Sequence, residues 1–591
     1  MKNYHIKQMS LSHLKSIMTT PMMGNYHPLT IISYSWEYLF FHLHPLPYHV
    51  VNIVIHLLNC VLVFYLILRL GRSLPVAFLV GLFFGIHPLH VESVAWISER
   101  KDVLYTFFYL LSLITYLSYL DKQHAYKHYA FALFFFVLSL FSKPMAVTLP
   151  LVLFLMDYFR KRPFAYRSII EKVPFLLLSL GSGIATIITQ NLSEHSNPAF
   201  SFPTSILVAC HGLVFYLWKM IWPVKLAALY QYPSGDNLLS HIEYLISPAL
   251  VLFIAAAVFY SRKFSRKAVW GGLFYLVTLL PVIQLLPIGF ALASDRYTYV
   301  PLIGIFYVIS EFVVWLWSQK LKDRLLPKVI MAILFAAITA QLLFLTAGLC
   351  RVWNNSITLW TNVIKLYPNT DIAYNNRGNM YFQLGDFDRA LGDFLKAADI
   401  NPQFASAYNN ICNTYFAKKE NEKAVEYCTR ALKINPRQPN TYAILGDIYW
   451  ASDKPLALEM YRKSTALGSY LYDAGYGKLC DAYLLLQKYD EAYPVCNAAT
   501  RFRPDDTWLY ERLGDAYLKA KQYDRALFFY SRAILIDPNL PAVHNNLAVI
   551  YYYMNNYALS VKHFDAAVSL GYKVDPEFRD LIEKSRTLQT N

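Results

Sequence analysis

The chain has 591 residues, 56% of them hydrophobic, 16% aromatic and only 16% charged, with a formal net charge of +15. Mean hydropathy is +0.30. Too few charges remain to cover an all-soluble fold, and intrinsic disorder, collagen and a small disulfide scaffold are excluded. The excess charge is lopsided: residues 1–350 hold 26 Lys/Arg against 13 Asp/Glu, leaving 28 and 26 of the totals of 54 and 39 for the rest. Nucleic-acid binding would want a basic stripe interleaved with stacking aromatics, and the sequence has none.

In chain order, residues 1–47 read as a tail without the pattern of a signal peptide. From 48 to 350, apolar runs recur near 48–69, 75–89, 103–120, 129–142, 145–159, 173–189, 244–260, 268–288, 299–317 and 329–350, predicting about ten membrane spans. Lys and Arg concentrate in alternate loops, at 69–72, 122–127, 160–172, 262–267 and 320–328, which predicts those loops to be cytoplasmic. Parity then requires that 204–222, apolar but carrying His211, Trp218 and Lys219, does not cross and is a re-entrant or surface-lying helix. The C-terminal half and the tail are both expected outside the cytoplasm. An exported tail without an export signal suggests a membrane helix preceding this reading frame.

Within the first run, His49, Asn52, His56 and Asn59 share one helical face and are expected to turn into the bundle, as glue between helices. The loop 87–102 is the densest ionisable run between spans on the outer side. There His90 and Glu92 suit metal binding or proton transfer, and Arg100 and Lys101 suit phosphate oxygens. A second outer run, 294–301, brings Asp295, Arg296 and Tyr297 to the depth of a lipid headgroup. No P-loop, Rossmann glycine pattern, nucleophile elbow or zinc Cys-x-x-Cys motif occurs in the sequence.

The second half is periodic. Pro368, Pro402, Pro436, Pro504 and Pro538 fall 34 residues or twice that apart, and Tyr381, Tyr415, Tyr449, Tyr483, Tyr517 and Tyr551 keep the same interval. That is the period of tetratricopeptide repeats, helix–turn–helix units that stack into a solenoid. Six repeats over 368–571 are predicted, preceded by a half-repeat connector at 351–367 and closed by a capping helix at 572–591. Cys412/Cys428 and Cys480/Cys496 each stand 16 apart, at positions where other repeats pair a small residue with an aromatic, as Gly378/Phe394 and Gly514/Tyr530 do. Two disulfides are predicted, which places the repeats in an oxidising compartment. Asn376, Asn410 and Asn546 share one repeat position, and their amides suit backbone recognition of an acceptor peptide in the groove.

His87-Pro88-Leu89-His90-Val91-Glu92-Ser93-Val94-Ala95-Trp96 followed by Arg100-Lys101-Asp102, the His-Pro-Leu-Thr run at 27–30, the Asp-Arg-Tyr run at 295–297 and the terminal repeats together resemble the transmembrane and tetratricopeptide repeat-containing proteins. Those proteins are similar to GT-C membrane glycosyltransferases, and the animal members are protein O-mannosyltransferases. The resemblance implies an all-α fold, a polytopic GT-C-like bundle followed by an α-solenoid. It also implies transfer of a sugar from a polyprenyl-phosphate donor to a Ser or Thr on the extracytoplasmic face, with the repeats docking the acceptor. Glu92, Asp102 and Asp295 are then candidate bases. His27, His87, His90, Arg100, Lys101, Arg296 and Tyr297 are candidate substrate contacts, with room for a divalent metal. Microbial relatives favour a bacterial inner membrane. Family members open with a membrane helix and an acidic loop, whereas residues 1–47 contain no Asp and only Glu37. That departure keeps a second expectation open: a non-catalytic, membrane-anchored scaffold for protein–protein interaction.

Overall fold

The computed structural model describes residues 11–19, 26–122, 125–191, 202–230, 241–285, 292–322, 324–467, 474–502 and 506–589. It divides into two units, Met1–Thr370 and Asp371–Asn591, both all-α.

The first unit runs α1 (Leu11–Thr19), α2 (Pro28–Phe41), α3 (Pro45–Gly71), α4 (Leu74–Ile86), α5 (Val91–Ala95), α6 (Arg100–Asp121), α7 (Tyr126–Ser142), α8 (Leu149–Phe159), α9 (Tyr166–Ile170), α10 (Val173–Asn191), α11 (Phe202–Ile221), α12 (Ile242–Ser261), α13 (Arg266–Leu279), α14 (Leu302–Trp315), α15 (Leu325–Val352) and α16 (Ser356–Leu366). Among the described residues, seven helices are long and apolar enough to cross a membrane, or eight if α4 and the segment Pro88–Ala95, bent by 57°, count as one. That is fewer than the ten spans expected from hydropathy alone. The difference lies at prolines, which end a helix by removing a donor and clashing with the preceding turn. Pro144 starts a 3-10 turn between α7 and α8, and Pro281 sits in another directly after α13. Residues 204–222, expected to lie along or re-enter the membrane, fall on an unbroken 20-residue helix, Phe202–Ile221, long and apolar enough to cross one.

The expected tail is largely helical. Thr30 of α2 donates to the Ser142 carbonyl at 3.0 Å, and the Tyr34 hydroxyl donates to the Ile97 carbonyl at 2.6 Å. α6 is the most buried of the long helices, whereas α15 buries only Leu342. Helices α13 and α14 touch backbone to backbone: a Cβ on Gly271 or Gly304 would collide with the other's carbonyl oxygen. That contact locks the two helices flanking the segment that carries Asp295 and Arg296.

The second unit pairs α17 (Asp371–Gln383) with α18 (Phe387–Ile400), α19 (Ala405–Ala417) with α20 (Asn421–Ile434), α21 (Pro439–Tyr449) with α22 (Lys454–Leu467), α23 (Ala474–Leu485) with α24 (Tyr489–Phe502), α25 (Thr507–Lys519) with α26 (Tyr523–Ile536), and α27 (Pro541–Tyr553) with α28 (Tyr557–Ser569). It ends with α29 (Pro576–Gln589). The Cβ-less faces of Gly378, Gly446 and Gly514 receive the rings of Phe394, Tyr461 and Tyr530. At the equivalent positions, Cys412 is bonded to Cys428 and Cys480 to Cys496, with Cα–Cα distances of 5.1 and 5.0 Å. The turns inside the repeats are periodic too. Gly385, Lys419, Gln487, Lys521 and Asn555 all have positive φ, at intervals of 34 or its double. The third repeat is one residue shorter between Gly446 and Tyr461 and lacks this left-handed residue.

Candidate functional site

The site begins with a helix that breaks. Where α4 ends at Ile86, its last carbonyls lose their intrahelical partners. The Phe83 carbonyl accepts from the His87 N–H at 3.1 Å. Phe84 is met by His90 Nδ1 at 2.7 Å, Gly85 by His56 Nε2 at 3.2 Å, and Ile86 by the Thr346 hydroxyl at 2.6 Å. The polar stripe on α3 continues this work. Asn52 Nδ2 donates to the Val94 carbonyl at 3.2 Å and Asn59 Nδ2 to the Val103 carbonyl at 2.8 Å, while His56 Nδ1 accepts from the Tyr299 hydroxyl at 2.7 Å. The stripe therefore ties α3 to backbone on both sides of the break, at Gly85 and Val94, and to α6 at Val103.

On this scaffold sits a buried set of ion pairs. Arg296 clamps Glu92 with its guanidinium and with its backbone N–H, the latter at 3.0 Å. Its Nε also faces Glu99 at 3.6 Å. Lys101 Nζ meets Glu99 Oε1 at 3.1 Å. Lys143, from the break between α7 and α8, pairs with Asp102, whose other oxygen accepts from the Ser93 hydroxyl at 3.3 Å. The cluster is layered. Side chains of Glu92, Glu99 and Asp102 are 1%, 3% and 1% exposed, whereas Lys101, Arg296 and Lys143 keep 22%, 16% and 11%. Three cations thus show their outer edges above three sunken carboxylates.

Aromatic rings line the cations. Arg296 lies 5.0 Å from the Tyr297 ring centroid and 5.4 Å from that of Trp96, and Lys143 lies 5.8 Å from Tyr297. Burial alone would loosen the Arg296 proton, but Glu92 and Glu99 outweigh it and hold the guanidinium charged. Asp102 does the same for Lys143 against the cost of burial. His27 feels both Lys101 and Lys143, and its imidazole is pushed down to about 4, by burial first and then by Lys101. Its Nδ1 has no hydrogen-bond partner. Burial and the neighbouring Glu92 hold the Asp295 carboxyl well above the usual range; it accepts from the Tyr230 hydroxyl at 2.9 Å.

Of the residues expected to touch substrate, His27, Lys101, Arg296 and Tyr297 converge here. Arg100 does not: it is fully buried, bonded to Glu37, to Asn52 Oδ1 at 2.8 Å and to the Tyr48 carbonyl at 2.8 Å, with Tyr34 across its face. His87 is likewise spent, on the Met220 carbonyl at 3.0 Å and the Leu89 N–H at 3.3 Å, whereas His90 gives its Nδ1 to α4 and keeps a buried Nε2 without a hydrogen-bond partner. Glu92 and Asp102, expected as bases, are counter-ions. For the divalent metal that the resemblance leaves room for, no group of three or more His, Cys, Asp or Glu side chains among the described residues is placed to hold the ion. In the second unit, Asn410 donates to Asn375 at 2.8 Å, and Asn546 donates to Asp515 and to Tyr530 at 3.0 and 2.9 Å. Those amides tie repeats together; Asn376 is half-buried.

Sequence reasoning missed Lys143, Glu99 and Glu37. Lys143 had a signal, as the one charge separating two apolar runs and standing just before Pro144.

Tetratricopeptide-repeat models match residues 372–404, 405–438 and 483–550. A protein O-mannosyl-transferase of Caenorhabditis elegans, F38B6.6, is 25% identical over 313 residues, covering 49% of this chain and 42% of that protein. Mouse TMTC1, also a protein O-mannosyl-transferase, is 31% identical over 130 residues, 22% of this chain and 14% of its own length. The chain is a relative of the tetratricopeptide-repeat protein O-mannosyl-transferases. It matches less than half the length of these curated relatives. The Xenopus laevis protein O-mannosyl-transferase tmtc2 is 36% identical over 99 residues, 17% of this chain and 12% of that protein. Among solved structures, Pseudomonas aeruginosa pilF aligns with a TM-score of 0.31 and 16% identity, over 36% of this chain and 97% of that one. The similarity to these transferases and the apolar helices of the first unit together suggest membrane association of this chain.

Proposed function

We propose that the protein is a membrane glycosyltransferase that moves a sugar from a polyprenyl-phosphate donor to a Ser or Thr hydroxyl of a polypeptide. The reaction takes place on the extracytoplasmic face, and the repeats hold the acceptor. The observation that carries this reading is the layered cluster. Lys101, Lys143 and Arg296 offer outward edges to phosphate oxygens, and their counter-charges are already sunk beneath them. The hydroxyl oxygen attacks the anomeric carbon, the bond from that carbon to the phosphate oxygen breaks, and the lipid phosphate leaves onto the cations. The hydroxyl proton passes to a carboxylate. Within the cluster Glu99 suits that role best, because its Oε2 has no hydrogen-bond partner while Glu92 and Asp102 are fully engaged.

The test is transfer by the full chain in nanodiscs, with polyprenyl-phosphate mannose and a Ser/Thr peptide read by mass spectrometry. Transfer that falls at least a hundredfold in both Arg296→Lys and Glu99→Gln is the expected result. A chain that binds the peptide without any transfer overturns it in favour of the second reading, a membrane-anchored scaffold. One observation favours that alternative: two of the three acids first expected as bases, Glu92 and Asp102, are consumed in ion pairs.

A further inference from the structure

Successive first helices of the array touch one another, α19 with α21, α21 with α23, α23 with α25 and α25 with α27. The side on which neighbouring helices crowd is the inner, concave side of a solenoid, where extended partners lie. Immediately after the small residue of repeats three, four and five stand Asp447, Asp481 and Asp515, each 34 residues from the next and each partly exposed.

Two of these carboxylates are quenched in the same way. Asp447 accepts from the Tyr461 hydroxyl of its own repeat at 2.8 Å and from Lys478 of the next repeat at 3.0 Å. Asp515 accepts from the Tyr530 hydroxyl at 2.6 Å and from Asn546 of the next repeat at 3.0 Å. Repeat four breaks the pattern. The position of the tyrosine is taken by Cys496, which is bonded to Cys480 and carries no hydroxyl. The residue offered by the next repeat is Arg512, which acts on Asp481 through charge without a hydrogen bond. Among the described residues, the disulfide thus leaves one carboxylate in the middle of the groove without the tyrosine hydroxyl that its neighbours have.

We propose that repeat four reads a basic side chain, Lys or Arg, of the extended polypeptide held in the array, through Asp481. The proposal rests on the docking role given to the repeats above and adds the chemistry that they select. A guanidinium or ammonium from the bound chain supplies the donor that Tyr461 and Tyr530 supply next door, as a charge-assisted hydrogen bond. Arg512 and Lys478 lower the pKa of Asp481, Asp506 raises it, and the Tyr461 hydroxyl senses Asp481 from the preceding repeat. Burial is the largest influence and pushes the carboxyl up to about 6. A cation arriving there relieves that cost.

The experiment uses the full chain in detergent and two fluorescent Ser/Thr/Gly peptides that differ only in one central residue, Arg or Gln. The Arg peptide should bind about tenfold more tightly at neutral pH. That preference should vanish in Asp481→Asn, persist in Asp515→Asn, and fade in the unmodified chain as pH falls through about 6. Circular dichroism establishes that both variants remain folded. Equal binding of the two peptides by the unmodified chain overturns the proposal and leaves the docking role standing. A preference that survives Asp481→Asn also overturns it. Failure of both peptides to bind overturns the docking role and the proposal together.

Discussion

The two units treat buried polar groups in opposite ways. In the repeats, a polar residue is answered nearby: Tyr461 reaches Asp447 and Arg377 reaches Asp393 within 14 to 16 residues, and Asn546 reaches Asp515 one repeat back. In the apolar unit several partners come from far along the chain, beside local ones such as Lys101 with Glu99. Arg296 meets Glu92 204 residues away, His56 meets Tyr299 243 away, and Thr346 meets Ile86 260 away. A local network can be repeated and replaced module by module. A network closed over such distances stands or falls as a whole, because each member is buried where water cannot replace a lost partner.

Arg296→Leu tests that contrast most severely. It leaves Glu92 as an unpaired buried carboxylate, at a cost of about 3–5 kcal/mol. We expect a large fall in melting temperature in detergent, with much of it recovered in the double variant Arg296→Leu/Glu92→Leu, since an apolar pair of similar volume tolerates burial. If the single variant melts like the unmodified chain, the cluster is not the closed network described here.

In the array the largest lever is covalent. Opening the Cys480–Cys496 bridge, by Cys480→Ala/Cys496→Ala, releases a loop of 16 residues, worth about 3 kcal/mol in the chain-entropy model. The loss should stay within neighbouring repeats, because a solenoid's stability is close to a sum of units and interfaces. Hydrogen exchange should therefore quicken in α23 and α24 and remain slow in α17 and α18. Uniform quickening along the array would contradict the modular picture.

Below these lies Asn59→Ala, which removes the bond that Asn59 Nδ2 gives to the Val103 carbonyl of α6 inside the bundle and should cost about 1–3 kcal/mol. Measured against Asn410→Ala, whose bond to Asn375 is only partly buried, it compares the two units with the same residue type. The bundle variant should lose at least twice as much. Equal losses would mean that the tie between α3 and α6 is worth no more than a partly buried bond between repeats.

The same contrast explains what could be read without a structure. The six helix pairs and the two cysteine bridges follow a period of 34, so one repeat announces the next. The charge cluster has no period. Its two runs, 87–102 and 294–301, are visible as ionisable stretches, but nothing in their spacing says that they meet. Pairing consumed Arg100, which looked exposed, because Glu37 lies in a helix that read as a tail. His87 and His90 read as chemistry because they stand in the densest ionisable run between spans. In fact Pro88 ends the helix, and the histidines answer the consequences.

The smallest effect is the most telling, because its sign is unusual. Asp481 in the folded chain titrates at about 6, above the value of about 3.9 for an unfolded aspartate. Between those two values the folded chain binds more protons than the unfolded one. The contribution to stability is therefore present at low pH and lost as pH rises through about 6. At neutral pH the unpaired carboxylate weakens repeat four, and Asp481→Asn should raise the melting temperature there by a degree or two. The gain should shrink steadily on acidification as the natural residue becomes neutral as well. Asp515→Asn offers the contrast: its carboxylate is held by Tyr530 and Asn546, so the same change should lower the melting temperature. A residue whose removal stabilises the fold is retained against the fold's interest, as binding groups are. If Asp481→Asn destabilises at neutral pH, the carboxylate has an internal partner after all, and the groove loses its free anion.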